Sequence, residues 1–310
     1  MSIKLGLALP QSRSYDISRD VASVAKAAEA SGYESLWAFE RVLFPTPATQ
    51  GLYGIPGLDW PENYRGVGDP LITLALAGAA TERARLGTSV LVAPLHVPFQ
   101  LARSLATLDA ATGGRVVAGL GTGWSLDEYA AASVAPFEKR GAVLDEVLDV
   151  FAAVWGADPV SYEGTLTHIA PAEVGPKPAG HLPVFLAASN GRAFRRLVDK
   201  ADGWMPVAAG VAALSEGWQK LQEVAAERGR ERPIDVIARA NAYYSAKPFE
   251  GENRMPFQGS VEQLVEDLAA HAAVDGVGEI LIDLQSTVTD AQEMSDVAAE
   301  IIAAARAAGV

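Results

Sequence analysis

The chain has 310 residues and no cysteine, which excludes a disulfide framework and any cysteine-ligated zinc. Histidine is scarce as well. His96, His168, His181 and His271 are scattered, with neither an H-x-H nor an H-E-x-x-H spacing. Metal catalysis therefore has no support and no metal ligand is assigned, although carboxylates alone can bind magnesium. Basic residues are the minority, 25 against 38 acidic ones, for a formal charge of −13. A general nucleic-acid binder needs a basic face, so that class is set aside. No apolar run approaches the roughly 20 residues of a membrane span. No basic-then-apolar leader follows Met1. The expectation is a cytoplasmic protein.

Forty-nine per cent of the residues are hydrophobic, enough for a sizeable core. The stretch that organises the rest is Arg115-Val-Val-Ala-Gly-Leu-Gly-Thr-Gly-Trp124. Arg115 to Leu120 reads as a buried strand after the turn at Thr112 to Gly114. Gly119, Gly121 and Gly123 then space a loop that lets backbone approach a ligand. A dinucleotide fingerprint would need glycine at position 124, where Trp124 stands. The polar segment Ser125 to Tyr129 continues this loop.

Strands are predicted at 3–9, 34–39, 86–93, 115–120, 183–188, 203–207, 234–244 and 279–284. The first helix carries Val21, Val24, Ala25 and Ala28 on one face and closes at Ser31-Gly32. Others follow at about 69–81, 99–111, 138–155, 191–200 and 212–228, the seventh buries Val261, Leu264, Val265 and Leu268, and the last runs over 290–308. Ser260 and Gln263 have the spacing of a capping box. Asp145, Glu146 and Asp149 read as the wet face of the fourth helix. Eight strand–helix units imply a parallel sheet, and at this length a closed (β/α)₈ TIM barrel, of about 250 residues before insertions. A doubly wound open sheet is the alternative. One domain spans 1–310, with insertion loops at about 40–68, 156–182 and 245–259. The first is rich in Pro, Gly and aromatics and reads as a lid or pocket wall, or else a plain surface insertion.

In a barrel the carboxyl ends of the strands converge on one pocket. Glu40-Arg41 follows the second strand, either as a charged couple lining that pocket or as a partner for the long loop. His96 follows the third strand and faces the pocket or solvent. Ser189, Asn190, Gly191, Arg192 and Ala193 turn from a strand into a helix, whose first amides suit a phosphate. A plain helix start is the other reading. Ala187-Ala-Ser-Asn-Gly191 is also one substitution from a nucleophile elbow, so a serine hydrolase using Ser189 is the alternative from a different class. Its histidine would have to be His271, inside a predicted helix.

Several stretches occur together in order: Ser-Leu-Trp-Ala-Phe-Glu-Arg-Val-Leu-Phe-Pro45, Leu-Gly-Thr-Ser-Val-Leu-Val-Ala-Pro94, the glycine stretch ending at Trp124, Phe137-Glu-Lys-Arg-Gly, Leu144-Asp-Glu146, Tyr162-Glu-Gly164 and Lys-Ala-Asp-Gly-Trp204. This set resembles the luciferase-like monooxygenase family, and within it the oxidoreductases that use coenzyme F420, a deazaflavin. The resemblance implies a (β/α)₈ barrel, a homodimer, and a ring bound at the carboxyl ends of the strands. It implies a non-prolyl cis peptide at Ser89-Val90 supporting that ring, with Val92 beside it. It places Gly121, Thr122 and Asp127 along the ring and its side chain, and Ser189 to Ala193 at the cofactor phosphate. Two positions depart from it. Arg41 stands where several deazaflavin enzymes have histidine, and Trp124 where one sugar-phosphate-oxidising member has a carboxylate. Arginine stays protonated and is a poor proton donor. The reading is an F420-dependent oxidoreductase transferring a hydride to or from a small organic substrate, with Glu40 and Arg41 as candidate catalytic residues. An FMN-dependent monooxygenase using oxygen is the runner-up. Trp37 and Trp124 are expected near the ring.

Overall fold

A computed structural model describes residues 3–310, so Met1 and Ser2 lie outside the described residues. Eight parallel strands form its centre: β1 (Lys4–Ala8), β2 (Ser35–Ala38), β3 (Arg85–Thr88, resuming at Leu91–Val92), β4 (Val116–Gly121), β5 (Val184–Leu186), β6 (Gly203–Trp204), β7 (Asp235–Asn241) and β8 (Val277–Asp283). Neighbours in sequence pair in space, and β1 pairs with β8 through Gly6 opposite Leu281. The pairing of Leu86 with Val116 between β3 and β4 completes the ring. That closure distinguishes the TIM barrel from the doubly wound sheet.

The helices are α1 (Ile17–Ser31), α2 (Pro70–Ala80), α3 (Pro98–Thr112), α4 (Leu126–Ala132), α5 (Arg140–Trp155), α6 (Gly191–Lys200), α7 (Val211–Glu227), α8 (Val261–Ala272) and α9 (Ala291–Ala307). Their ends follow local chemistry. The Asp16 side chain accepts from Ser18 N at the start of α1, and Gly32 closes it at φ 103°. Asp69 caps α2, with Pro70 in its first turn. Gln263 Oε1 accepts from Ser260 N at 3.2 Å, so the capping box forms. The predicted face of α1, Val21, Val24, Ala25 and Ala28, is buried.

Three expectations change. The 156–182 segment carries an antiparallel hairpin, Val160–Glu163 with His168–Ala172. Its strands are short and largely exposed, so they lack the apolar alternation that would have marked them. Residues 126–132 are helical because Ser125 caps α4 and Glu128 N donates to its hydroxyl at 3.2 Å. Glu146 is not on a wet face. It is buried and accepts from the amides of Leu166 and Thr167, capping the hairpin turn. Asp145 and Asp149 are half-buried and pair with Arg196 and Lys200.

Two layers of apolar packing result. One lies between strands and helices, and the other fills the barrel with Trp37, Val117, Phe185, Met205, Ile237 and Leu281. Trp37 therefore points down into the barrel rather than toward its mouth, and its Nε1 donates to Ser35 Oγ at 2.6 Å. The indole fits only because its neighbours are glycine. A Cβ on Gly87 would stand 2.1 Å from Trp37 Cζ3, and one on Gly6 2.5 Å from Trp37 Nε1. Overpacking a filled core costs about 1–3 kcal/mol. G87A should lose about that much in denaturant unfolding, and W37L should return part of it in the double variant. Additive losses would show that the two sites do not clash.

Candidate active site

β3 breaks after Thr88, the Ser89-Val90 peptide is cis, and the strand resumes at Leu91. The bulge is fastened from three sides. Ser89 N donates to Ala38 O at 2.8 Å, and Glu40 N donates to Val90 O at 3.2 Å. Arg239 Nη1 donates to Ser89 O and to Ser89 Oγ, each at 2.6 Å. Arg239 is held in turn by Asn241 Oδ1 at 2.9 Å and by Asp283. Val90 lies half-buried at the surface this creates, with Val92 next to it.

Glu40 and Arg41 both line the cleft above the bulge, but they do not pair with each other. Successive residues after a strand diverge, and each finds its own partner. Glu40 Oε2 accepts from Val92 N at 2.6 Å, and Oε1 meets His96 Nε2 at 2.8 Å. Burial works against a charged His96, yet the hydrogen bond and charge of Glu40 outweigh it and raise its pKa above 6.5. His96 reaches Glu40 from the groove between α2 and α3, so it supports the pocket wall from behind. Arg41 Nη1 donates to Glu128 Oε2 at 2.7 Å, and Val42 N donates to Glu128 Oε1 at 2.8 Å. Burial raises the Glu128 pKa, against the lowering pull of Arg41. The Arg41 guanidinium carbon lies 5.2 Å from the Tyr64 ring and 5.1 Å from the Trp124 ring.

The glycine loop forms the other wall. A Cβ on Gly119 would meet Thr88 O at 1.9 Å, and Gly123 takes φ +69°. Only glycine lets β4 pass this close to β3. Gly121, Thr122 and Trp124 line a cleft of about 220 Å³ over Val90. Thr122 and Ala187 also border a second depression of about 660 Å³, which contains Ser189, Asn190, Arg192 and Ala193. The two spaces adjoin at Thr122 and Ala187, which line both. In the second, Asn190 Oδ1 accepts from Ala193 N at 3.1 Å. The first two amides of α6, at Gly191 and Arg192, have no partner within the helix. Both residues are exposed.

Asp127 sits elsewhere. Its carboxylate accepts from Thr49 N at 3.0 Å and from Thr49 Oγ1 at 2.5 Å, fastening the 40–68 insertion to α4. Gln50 Nε2 adds a bond to Trp124 O at 2.7 Å. The insertion's Tyr53 and Trp60 pack on Trp124, at 5.3 and 4.7 Å between ring centroids. The insertion is therefore a pocket wall.

Arg239 and Glu128 were missed in the sequence. Arg239 had a visible signal, a charge inside the apolar run of β7. Glu128 had none, because its partner Arg41 is 87 residues away. The hydrolase reading loses its base. His271 is buried in α8, its Nδ1 bonds Asp267 O at 2.7 Å, and its ring packs on Phe257 at 4.8 Å. His168 and His181 are exposed and pair with Glu163 and Asp202.

Comparison with known proteins agrees with this geometry. An uncharacterized protein of Mycobacterium tuberculosis is 32% identical over 224 residues, covering 70% of this chain and 77% of that protein. The F420-dependent glucose-6-phosphate dehydrogenase of Nakamurella multipartita is 31% identical over 188 residues, 60% of this chain and 51% of that enzyme. The crystal structure of a monooxygenase from Streptomyces bottropensis matches with a TM-score of 0.81 at 16% identity, covering 99% of this chain and all of that one. Residues 6–308 match the model of the luciferase-like monooxygenases. This chain is an oxidoreductase barrel that belongs to the luciferase-like monooxygenase family.

Proposed function

We propose that the protein is an F420-dependent oxidoreductase acting on a small organic substrate. The observation that carries the reading is the pair of adjoining cavities, one over Val90 and one at the start of α6, that share Thr122 and Ala187. They offer an apolar bed for a ring at one end and unpartnered helix amides for a phosphate at the other. The dehydrogenase relative, whose name states its use of F420, favours the deazaflavin. The monooxygenase with the same fold favours a second reading, oxygen as co-substrate, and a further monooxygenase of this fold solved in complex with FMN makes FMN the ring for it. We read the working unit as a homodimer, supported by the apolar exposure of Ile72 and Val97 beside the α2–α3 groove.

Coenzyme F420, when bound, supplies a two-electron hydride carrier. The protein's residues do the rest. Val90, Val92 and Gly121 would support the ring, Thr122 would lie on the path of its side chain, and Ser189 to Ala193 would receive the phosphate, while Asp127 holds the insertion through Thr49. Arg239 and Ser89 keep the bed rigid. Glu40 fixes Val92 N through Oε2 and holds His96 Nε2 through Oε1. Arg41 and Trp124 face the substrate side, and the insertion excludes water.

Adding oxidised F420 and FMN separately should quench Trp124 emission, with saturation by F420 at roughly micromolar concentration and FMN far weaker. Tight FMN binding instead would move the protein to oxygen chemistry, and binding of neither would end the cofactor reading. Glu40→Ala removes the acceptor of Val92 N and should weaken F420 about tenfold. A second measurement follows from His96. Its raised pKa means that the native state keeps a proton the unfolded chain releases above about 6.5. That contribution is complete below about pH 6.5 and is lost as pH rises through the native value. The melting-temperature gap between wild type and H96Q should therefore be widest near pH 6 and narrow toward pH 9. A gap that does not change with pH would rule out the stabilisation of protonated His96 by Glu40.

A further inference from the structure

Nearly every polar group of the cleft is already occupied. Both Glu40 oxygens are bonded, Ser89 Oγ accepts from Arg239, and the guanidinium nitrogens of Arg239 bond Asn241, Ser89 and Asp283. Two buried donors are not. Arg41 Nε and Trp124 Nε1 have no hydrogen-bond partner and are shielded from solvent. The Arg41 side chain is only 10% exposed. A buried N–H without an acceptor costs about 1–3 kcal/mol, so two together call for a ligand group that accepts. Both residues line the cleft above Val90, with the Arg41 guanidinium carbon 5.1 Å from the Trp124 ring.

The charge around them decides what kind of acceptor. Arg41 is already neutralised by Glu128, and Arg239 by Asp283. Among the described residues, no cation in the cleft is left over to balance a buried carboxylate. We propose that Arg41 Nε and Trp124 Nε1 form a paired donor site for a neutral oxygen acceptor on the substrate, a ketone, aldehyde or amide carbonyl. This rests on the oxidoreductase reading only in taking the cleft as the substrate's place. Glu128 is then a positioning residue, acting through the Arg41 guanidinium. Tyr53 and Trp60 pack on Trp124, so the ligand reaches the pair when the insertion shifts.

The test uses the full chain labelled with nitrogen-15, reading the indole N–H signals of its tryptophans. W124F identifies the Trp124 signal, and cross-peaks to Tyr53 and Trp60 identify it independently should that variant misfold. Isobutyramide is titrated as a neutral carbonyl and isobutyrate as its charged isostere. A saturating downfield shift of the Trp124 indole proton with isobutyramide, absent with isobutyrate, is expected. W124F should bind isobutyramide about fivefold more weakly and R41K about tenfold, read from quenching of the remaining tryptophans. R41K keeps a charge for Glu128 but loses the Nε donor. A shift with isobutyrate alone, or with neither ligand, overturns the proposal. The F420 titration on the same sample separates the two readings. F420 binding without the amide shift removes the donor site alone, and the amide shift without F420 binding removes the cofactor reading alone.

Discussion

The site depends on one buried ion pair. Arg239 on β7 and Asp283 on β8 meet almost out of contact with water, and the same guanidinium grips the carbonyl and hydroxyl of Ser89 on β3. A charge buried this way is tolerated only when its partner and its remaining donors are all satisfied. Here they are, because Asn241 takes the Nε hydrogen. Three strands of the barrel are thereby joined at their carboxyl ends by a single side chain. The bulge at Ser89-Val90 inherits its position from that clamp, and the bed of the cleft inherits its shape from the bulge.

Packing below and hydrogen bonds above divide the work. Trp37 fills the barrel under the cleft, and the glycines at 6 and 87 exist to admit it. Above, Glu40 and Glu128 act as anchors. Each carboxylate bonds one side chain and one backbone amide, so Val92 and Val42 are placed as firmly as His96 and Arg41. The insertion is tied on one side to α4 and the glycine loop, through Asp127 and the Trp124 carbonyl, and on the other to the segment after β1, through Gln11 and Arg13. Its aromatic middle thus stands as a wall over the bed.

The strand–helix alternation was legible because hydrophobic period and turn chemistry are local. So were the start of α6, the capping box at Ser260, and the glycine loop that bars any other residue near β3. The ordered motifs also carried the family and the cis peptide at Ser89-Val90. The hairpin at 160–172 was not legible, since exposed short strands carry little apolar pattern. The division of Glu40 and Arg41 between His96 and Glu128 was equally hidden.

The sequence by itself determined the barrel, its family, and where along the chain the strand ends would contribute to a site. Those properties follow from periodicity and from residues whose backbone demands are their own. Tertiary structure alone decided that Arg239 clamps the bulge, that Trp37 faces the core, that Asp127 fastens a wall, and that two donors in the cleft lack acceptors. Each of these is a relation between residues tens to more than a hundred positions apart. Hydrogen bonding and charge compensation act through space, and no spacing along the chain encodes them.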